Sequence, residues 1–175
     1  MSGIMHLTGE VGGRALRVGV PIVDMLTGYN TTVGVLAALH ERGQTGVGRH
    51  VEVSLMDAGL AALLNHQTGV LMGEQNPGRG GNRHYSIAPY ESYTCADGDI
   101  IVAAANDKLY AGVCRVIGRP ELIDDPRFVT NTIRRQNLEE LNEILEPAFA
   151  ANTRAHWIAK LRDEDVPCGP INSLR

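Results

Sequence analysis

Residues 73–86, Gly-Glu-Gln-Asn-Pro-Gly-Arg-Gly-Gly-Asn-Arg-His-Tyr-Ser, set the strongest limit on how this chain can fold. Four glycines and a proline among polar residues support neither a helical nor an alternating apolar period. The loop reads as a hinge near residue 75, with two helices and a strand before it and a hairpin with further helices after it. Length alone, at 175 residues, argues for roughly one domain or two small ones.

Before the loop, residues 1–22 alternate glycine with short apolar pieces and read as irregular chain. From Asp24 onward, Leu26, Tyr29, Val33, Leu36 and Ala37 recur at three- and four-residue steps, which is a helical face. Asp24 stands where an N-cap belongs. Gly28 and Gly34 interrupt the pattern, each costing about 1 kcal/mol relative to alanine. A helix that keeps them is expected to meet another backbone closely. Gly43–Gly48 reads as a turn cluster and His50–Leu55 alternates like a short strand. Asp57 then opens a very apolar helix through Leu60, Leu63, Leu64 and Val70 to about Met72, buried on most sides or turned toward a partner subunit.

Beyond the loop, Tyr90–Cys95 and Asp99–Ala105 flank Ala96-Asp97-Gly98, a hairpin signal because tight primed turns need positive φ. Helical patterns follow at Lys108–Ile117, stopped by Gly118, at Gln136–Ala151, and at Arg154–Asp163 behind a Thr153 cap. Trp157 and its neighbouring leucines read as core, and Pro167-Cys-Gly-Pro170 as a rigid closing turn.

The chain has 175 residues and a formal charge of −4, with no dense basic run, so nucleic acid is not an expected partner. Cys95, Cys114 and Cys168 are widely spaced and form no Cys-x-x-Cys, which suggests reduced thiols rather than disulfides or zinc. The histidines show no ligand spacing, and no metal is expected. Apolar stretches such as Gly59–Leu64 fall short of a membrane span, and the opening Met1–His6 does not resemble a signal peptide. A soluble, cytoplasmic protein is expected, with no membrane partner.

Three places invite chemistry. Asp24 follows Gly19-Val-Pro21-Ile-Val, which holds the chain extended and sets a carboxylate at a helix start. There the helix dipole favours the anion, which is a potential nucleophile toward an activated acyl carbon. Spacing alone points first to a plain N-cap. Gly80, Gly81 and Asn82 let a backbone approach a ligand closely and offer N–H donors, or form a loop without function. Arg83 and His84, near Arg79, suit a small carboxylate, or simply make a solvated face. Asp124-Asp125 and Glu139-Glu140 read as solvent charges flanking helices.

Pro21-Ile-Val-Asp24-Met-Leu-Thr-Gly28, Val35–Arg42 and Thr45–Leu55 resemble the family III CoA-transferases, which include formyl-CoA and carnitine CoA-transferases. The likeness continues through Arg79–Asn82, Ile87–Tyr90, Asp97-Gly98, Pro120–Asp124, Thr130-Asn131 with Arg134, and Val166–Asn172. The last group is especially similar to members acting on dicarboxylic acids. The resemblance implies an α/β fold: a remnant of a Rossmann-like large domain over 1–72, with helices and a strand, then a small α+β domain over 73–175 with a β-hairpin and helices. It implies that Asp24 is the nucleophile, passing through an aspartyl mixed anhydride and an aspartyl-CoA thioester. It places Gly80, Gly81, Asn82, Arg83 and His84 at the substrate and Leu55 near the CoA. Coenzyme A enters as the acyl-CoA substrate, with no tightly bound cofactor. Acyl-CoA, a small carboxylic acid and a second copy in an interlocked homodimer are the implied partners. Family members are more than twice this long, so the resemblance also implies an incomplete, inactive piece. The same fold serves α-methylacyl-CoA racemase, although Met25-Leu-Thr-Gly28 lacks the glycine run typical of racemases. A non-catalytic fragment is the remaining alternative.

Overall fold

A computed structural model describes residues 2–73 and 75–175; Met1 of the opening segment and Glu74 of the glycine-rich run lie outside the described residues. The chain divides into two compact units, Met1–Gly81 and Asn82–Arg175. It is mixed α/β, with eight α-helices and one three-stranded antiparallel sheet among the described residues.

The first unit is helical: α1 (Ile4–Leu7), α2 (Ile22–Thr45), α3 (Leu55–Ala61) and α4 (Leu64–Leu71). The single turn of α1 interrupts what reads as irregular sequence. The long helix α2 starts at Ile22, ahead of Asp24, with Pro21 at the N-cap and no side-chain cap. Asp24 is therefore in the first turn and is not the N-cap. The helix runs on through Gly43 and stops at Gly46, whose φ of 74° and N–H bond to the Arg42 carbonyl make a left-handed stop.

The sequence expects a strand at His50–Leu55, and the structure has none: residues 47–54 form no regular structure. They lie along α2 instead. A Cβ on Gly34 would fall 2.7 Å from Val51 Cγ1, and Arg49 holds Glu41 with Nε and Nη2 at 2.9 and 2.5 Å. Gly34 thus answers a close side chain rather than a backbone, whereas Gly28 has nothing near it. Ser54 then caps α3, accepting from the Met56 and Asp57 N–H groups, so the helix begins two residues before Asp57. The expected single helix to Met72 is broken at Leu64, whose φ is +39°.

The apolar stripe anticipated on α2 exists but is not covered within this unit: Tyr29, Val33 and Leu36 are all exposed. The partly covered side runs through Val23, Thr27, Gly34 and Ala38, which are smaller. By length and composition alone α2 is apolar enough to cross a membrane, contrary to the expectation that no stretch is. Thr27, Thr31 and Thr32 remain on it by returning their hydroxyls to carbonyls four residues back.

The second unit packs β1 (Tyr90–Cys95), β2 (Gly98–Ala103) and β3 (Cys168–Pro170) with α5 (Asp107–Val116), α6 (Asn131–Gln136), α7 (Leu138–Ala150) and α8 (Arg154–Asp163). The hairpin forms in the register Tyr90↔Ala103 to Cys95↔Gly98. Its turn residues are Ala96 and Asp97, and positive φ falls on Gly98 alone at 132°, so a primed Asp-Gly turn is not used. Asp97 Oδ1 instead accepts from the Arg154 N–H at 2.7 Å, joining Thr153 in capping α8. The expected closing turn at 167–170 is a strand, pairing Val102↔Cys168 and Ile100↔Pro170.

Inward residues Tyr93, Cys95, Ile100 and Val102 meet Leu141, Leu145 and Phe149, which recur every four residues along α7. Trp157 is buried as expected and donates Nε1–H to the Phe149 carbonyl at 2.7 Å. All three cysteines are free thiols, pushed up in pKa by burial.

Candidate active site

Asp24 lies on the wall of a cavity of about 280 Å³ in the first unit, with Ile4 and Met5 of α1, Arg17, Val18 and Pro21. Its carboxylate is exposed and makes no hydrogen bond or ion pair among the described residues. Among the described residues no side chain takes up the first-turn N–H groups of α2, of which the Ile22 N–H is held by the Val20 carbonyl at 2.8 Å. A carboxylate beside apolar walls, one guanidinium and uncapped N–H donors is suited to attack on an acyl carbon and to holding the resulting oxyanion.

Leu55 opens α3, half-exposed, on an adjoining hollow of about 180 Å³ with Ser2, Val23 and Met56. Ser2 and Val23 line both hollows, so Asp24 and Leu55 sit on neighbouring surfaces with a shared wall. Gly59 permits this approach. A Cβ there would come 2.9 Å from Ser2 and 3.6 Å from Val23 Cγ1.

Gly80 and Gly81 end the first unit. The Gly81 N–H donates to the Gly9 carbonyl at 3.0 Å, with φ +62°, and Arg79 Nε donates to the Gly13 carbonyl at 2.8 Å. The guanidinium of Arg79 also reaches the His6 carbonyl at 3.4 Å. This end of the loop is stitched to the segment that follows α1.

Asn82, Arg83 and His84 belong to the second unit and are anchored there one by one. Asn82 Nδ2 donates to Ser92 Oγ at 2.9 Å. Arg83 Nε donates to Glu91 Oε2 at 3.2 Å, while Nη1 and Nη2 reach the two Glu139 oxygens at 2.5 and 3.0 Å. The His84 N–H bonds the Tyr90 carbonyl at 2.8 Å, and its ring stacks on Tyr90 with centroids 4.8 Å apart. His84 Nδ1 accepts from the Ser86 N–H at 3.2 Å, so Nδ1 carries a lone pair and Nε2 the proton of the neutral ring. The Arg83 guanidinium beside Glu139 holds that carboxyl below the usual glutamate range.

Sequence reasoning missed what holds this segment. Asn131 closes on it from both sides: Nδ2 donates to the Ser86 carbonyl at 2.9 Å, and Oδ1 accepts from the Ala88 N–H at 3.0 Å. Arg135 Nη2 bonds the Tyr85 carbonyl at 3.0 Å. Arg134 is wholly buried: it donates to the carbonyls of Ala88 and Phe128, both at 2.8 Å, pairs with Asp107 at 2.6 Å, and lies 4.2 Å over the Tyr110 ring. Glu91 was also overlooked. Its signal was legible, since it occupies an inward position of an otherwise apolar alternation, ahead of Tyr93 and Cys95. The arginines gave no comparable signal, because a six-residue helix has too few positions to define a face.

Glu139 and Glu140, read from sequence as solvent charges, engage Arg83 and Arg127 respectively. Asp125 is likewise held by Arg127 at 2.6 Å, and its carboxyl is lowered to about 2 by that hydrogen-bonded pair. No grouping of three histidine, cysteine or acidic residues fit to hold a metal occurs among the described residues.

The sequence model of CoA-transferase family III matches residues 1–175. Mouse succinyl-CoA:glutarate CoA-transferase is 37% identical over 175 residues, covering 100% of this chain and 40% of that protein. Acetyl-CoA:oxalate CoA-transferase of Acetobacter aceti is 38% identical over 172 residues, or 98% of this chain and 44% of that one. Among solved structures, a CAIB/BAIF family protein from Brucella suis superposes with a TM-score of 0.82 at 35% identity, over 99% of this chain and 46% of that chain. The chain thus spans less than half the length of these relatives.

Proposed function

Since the chain belongs to CoA-transferase family III, we propose that the protein moves CoA from an acyl-CoA donor to a carboxylic acid, with Asp24 as nucleophile. The observation that carries this reading is the unpaired Asp24 carboxylate in the uncapped first turn of α2, on the wall of a cavity. The dicarboxylate character of the acceptor is supported by relatives whose names pair succinyl-CoA with glutarate or mesaconate.

In the first step an Asp24 oxygen attacks the thioester carbonyl, the C–S bond breaks, and CoA leaves as thiolate from a mixed anhydride. The thiolate then attacks the Asp24 carbonyl carbon, releasing the donor acid as carboxylate and leaving an aspartyl-CoA thioester. An acceptor carboxylate displaces CoA from that thioester to form a second anhydride. CoA thiolate finally attacks the acceptor's acyl carbon, giving the new acyl-CoA and restoring Asp24. Each step exchanges one activated acyl group for another, which is what covalent catalysis supplies. Uncapped N–H groups at the start of α2 would stabilise the oxyanion of each tetrahedral intermediate.

Gly80, Gly81, Asn82, Arg83 and His84 are assigned to the substrate and Leu55 to an apolar contact with CoA. A homodimer in the cytoplasm is assigned as the working form, with the exposed apolar residues of α2 as the surface that needs covering. The reaction requires the complete protein, since this chain spans only 40% of the mouse relative.

The test is CoA exchange between an acyl-CoA and a free dicarboxylate. Asp24→Ala is expected to abolish exchange, and hydroxylamine to trap the aspartyl intermediate in the wild type alone. Activity surviving in Asp24→Ala, or α-proton exchange without any carboxylate acceptor, overturns the reading.

A further inference from the structure

The two edges of the Arg83 guanidinium are held very differently. On its inner edge, Nε faces Glu91, whose side chain is only 9% exposed. Glu91 is itself fixed, because Asn142 Nδ2 donates to its Oε1 at 2.8 Å, and Tyr93 Oη donates in turn to Asn142 Oδ1 at 3.3 Å. These partners come from β1 and α7, which share the core through Tyr93, Leu141 and Leu145. The outer fork, Nη1 and Nη2, carries the carboxylate of Glu139, whose side chain is 78% exposed.

A guanidinium anchored by a buried carboxylate is pre-organised before its outer fork binds anything. The outer partner adds little, because an exposed glutamate must give up rotamer freedom and shed water to reach the fork. Its two nearly parallel N–H···O bonds are the end-on geometry by which arginine receives any carboxylate. Glu139 also lies in the first turn of α7, which has no side-chain cap, so an anion at this place is favoured by the helix as well.

We propose that the outer fork of Arg83 is a carboxylate-binding site of the second unit, that Glu139 is its internal occupant, and that the carboxylate of a dicarboxylic acyl group displaces Glu139 there. Arg83 is then a specificity-determining residue, Glu139 a built-in competitor, and Glu91 with Asn142 the frame that keeps the fork in place. Glu139 stays ionised on α7 when it leaves the fork, so the swap needs no proton movement. This inference rests on the CoA-transfer reading only for its biological use. The site itself can be tested without turnover.

The probes are glutarate and its uncharged diamide, equal in length and differing in the carboxylates the fork can receive, titrated calorimetrically into the complete protein. Glutarate is expected to bind more tightly than the diamide. Glu139→Gln should tighten glutarate by about threefold, the scale of an exposed pair, and leave the diamide unchanged. Arg83→Lys should weaken glutarate by about tenfold or more, because a lysine cannot present the fork and a charged hydrogen bond is lost. The diamide again should not change. Succinyl-CoA against butyryl-CoA separates the two sources of the second carboxylate: discrimination by Arg83 in this pair assigns it to the donor, and in the free acid to the acceptor. Thermal melting of both variants checks that the fold persists. Equal effects on glutarate and the diamide, or no gain in Glu139→Gln, overturn the proposal. Loss of all CoA exchange in the wild type, with these binding differences intact, would instead overturn the transferase reading and leave the site standing.

Discussion

Leu141, Leu145 and Phe149 on α7 have no solvent-accessible surface, while Tyr29, Val33 and Leu36 on α2 remain 64%, 67% and 60% exposed. The two helices are similar in their apolar spacing and opposite in what their unit does with it. The second unit wraps three strands and four helices around one core. The first unit fully buries only Ala58 and Gly59 among its helical residues. Periodicity therefore reports that a face is apolar, and not that its own unit covers it. The contrast extends to chemistry: the unpaired carboxylate Asp24 stands on the sparsely packed unit, whereas Arg83, Arg127 and Arg134 of the well-packed unit each hold more than one partner.

Substitutions in the second unit test this contrast most sharply. Arg134→Met should cost about 3–5 kcal/mol, because it strands the Ala88 and Phe128 carbonyls and removes the partner of Asp107. Trp157 is the only tryptophan and lies in that unit, so its fluorescence in urea follows that unit's unfolding. A loss under 1 kcal/mol would mean that the guanidinium network is dispensable. Leu145→Ala should cost about 2–4 kcal/mol by leaving a cavity beside β1. The matching change on α2, Leu36→Ala, should stay within about 0.5 kcal/mol in the 175-residue chain, read by hydrogen exchange along the helix. If it costs as much as Leu145→Ala, α2 is covered after all and the contrast fails.

Smallest in effect is the surface pair at Asp125. Its native carboxyl is depressed to about 2 by Arg127, below the unfolded value of about 3.9. The pair's contribution is therefore complete above about pH 4 and fades as pH falls toward about 2. Arg127→Met should return the Asp125 carboxyl toward its ordinary value in a carbon-detected NMR titration and remove that acid-limb loss. An unchanged Asp125 titration would show that the pair does not form in solution.

Much of the second unit was legible because its signals are local. Asp97-Gly98 marked the hairpin, Gly118 the end of α5, and Thr153 the start of α8. The details that escaped are those settled by partners far along the chain. Gly169 and its neighbours look like a turn in sequence but pair with Ile101 because β2 presents an open edge. His50–Leu55 alternates like a strand, yet no described strand in its unit offers it hydrogen bonds, so Val51 settles against Gly34 instead. Asp24 was found from its place before a helical period. That it lies in the first turn, and not at the cap, depends on Pro21 and Ile22 starting the helix earlier.

By itself, the sequence determined the presence of α2, α5, α7, α8 and the hairpin, which residues are apolar, and, through its resemblance, the family. These follow from short-range sterics, capping and periodicity, which act within a few residues. Only the tertiary structure decided which apolar faces are covered within their unit, that Arg134 is buried, and that Arg83 is shared between a fixed Glu91 and an exposed Glu139. Burial and ion pairing join residues dozens of positions apart, and a carboxylate in sequence carries no mark of which guanidinium will reach it.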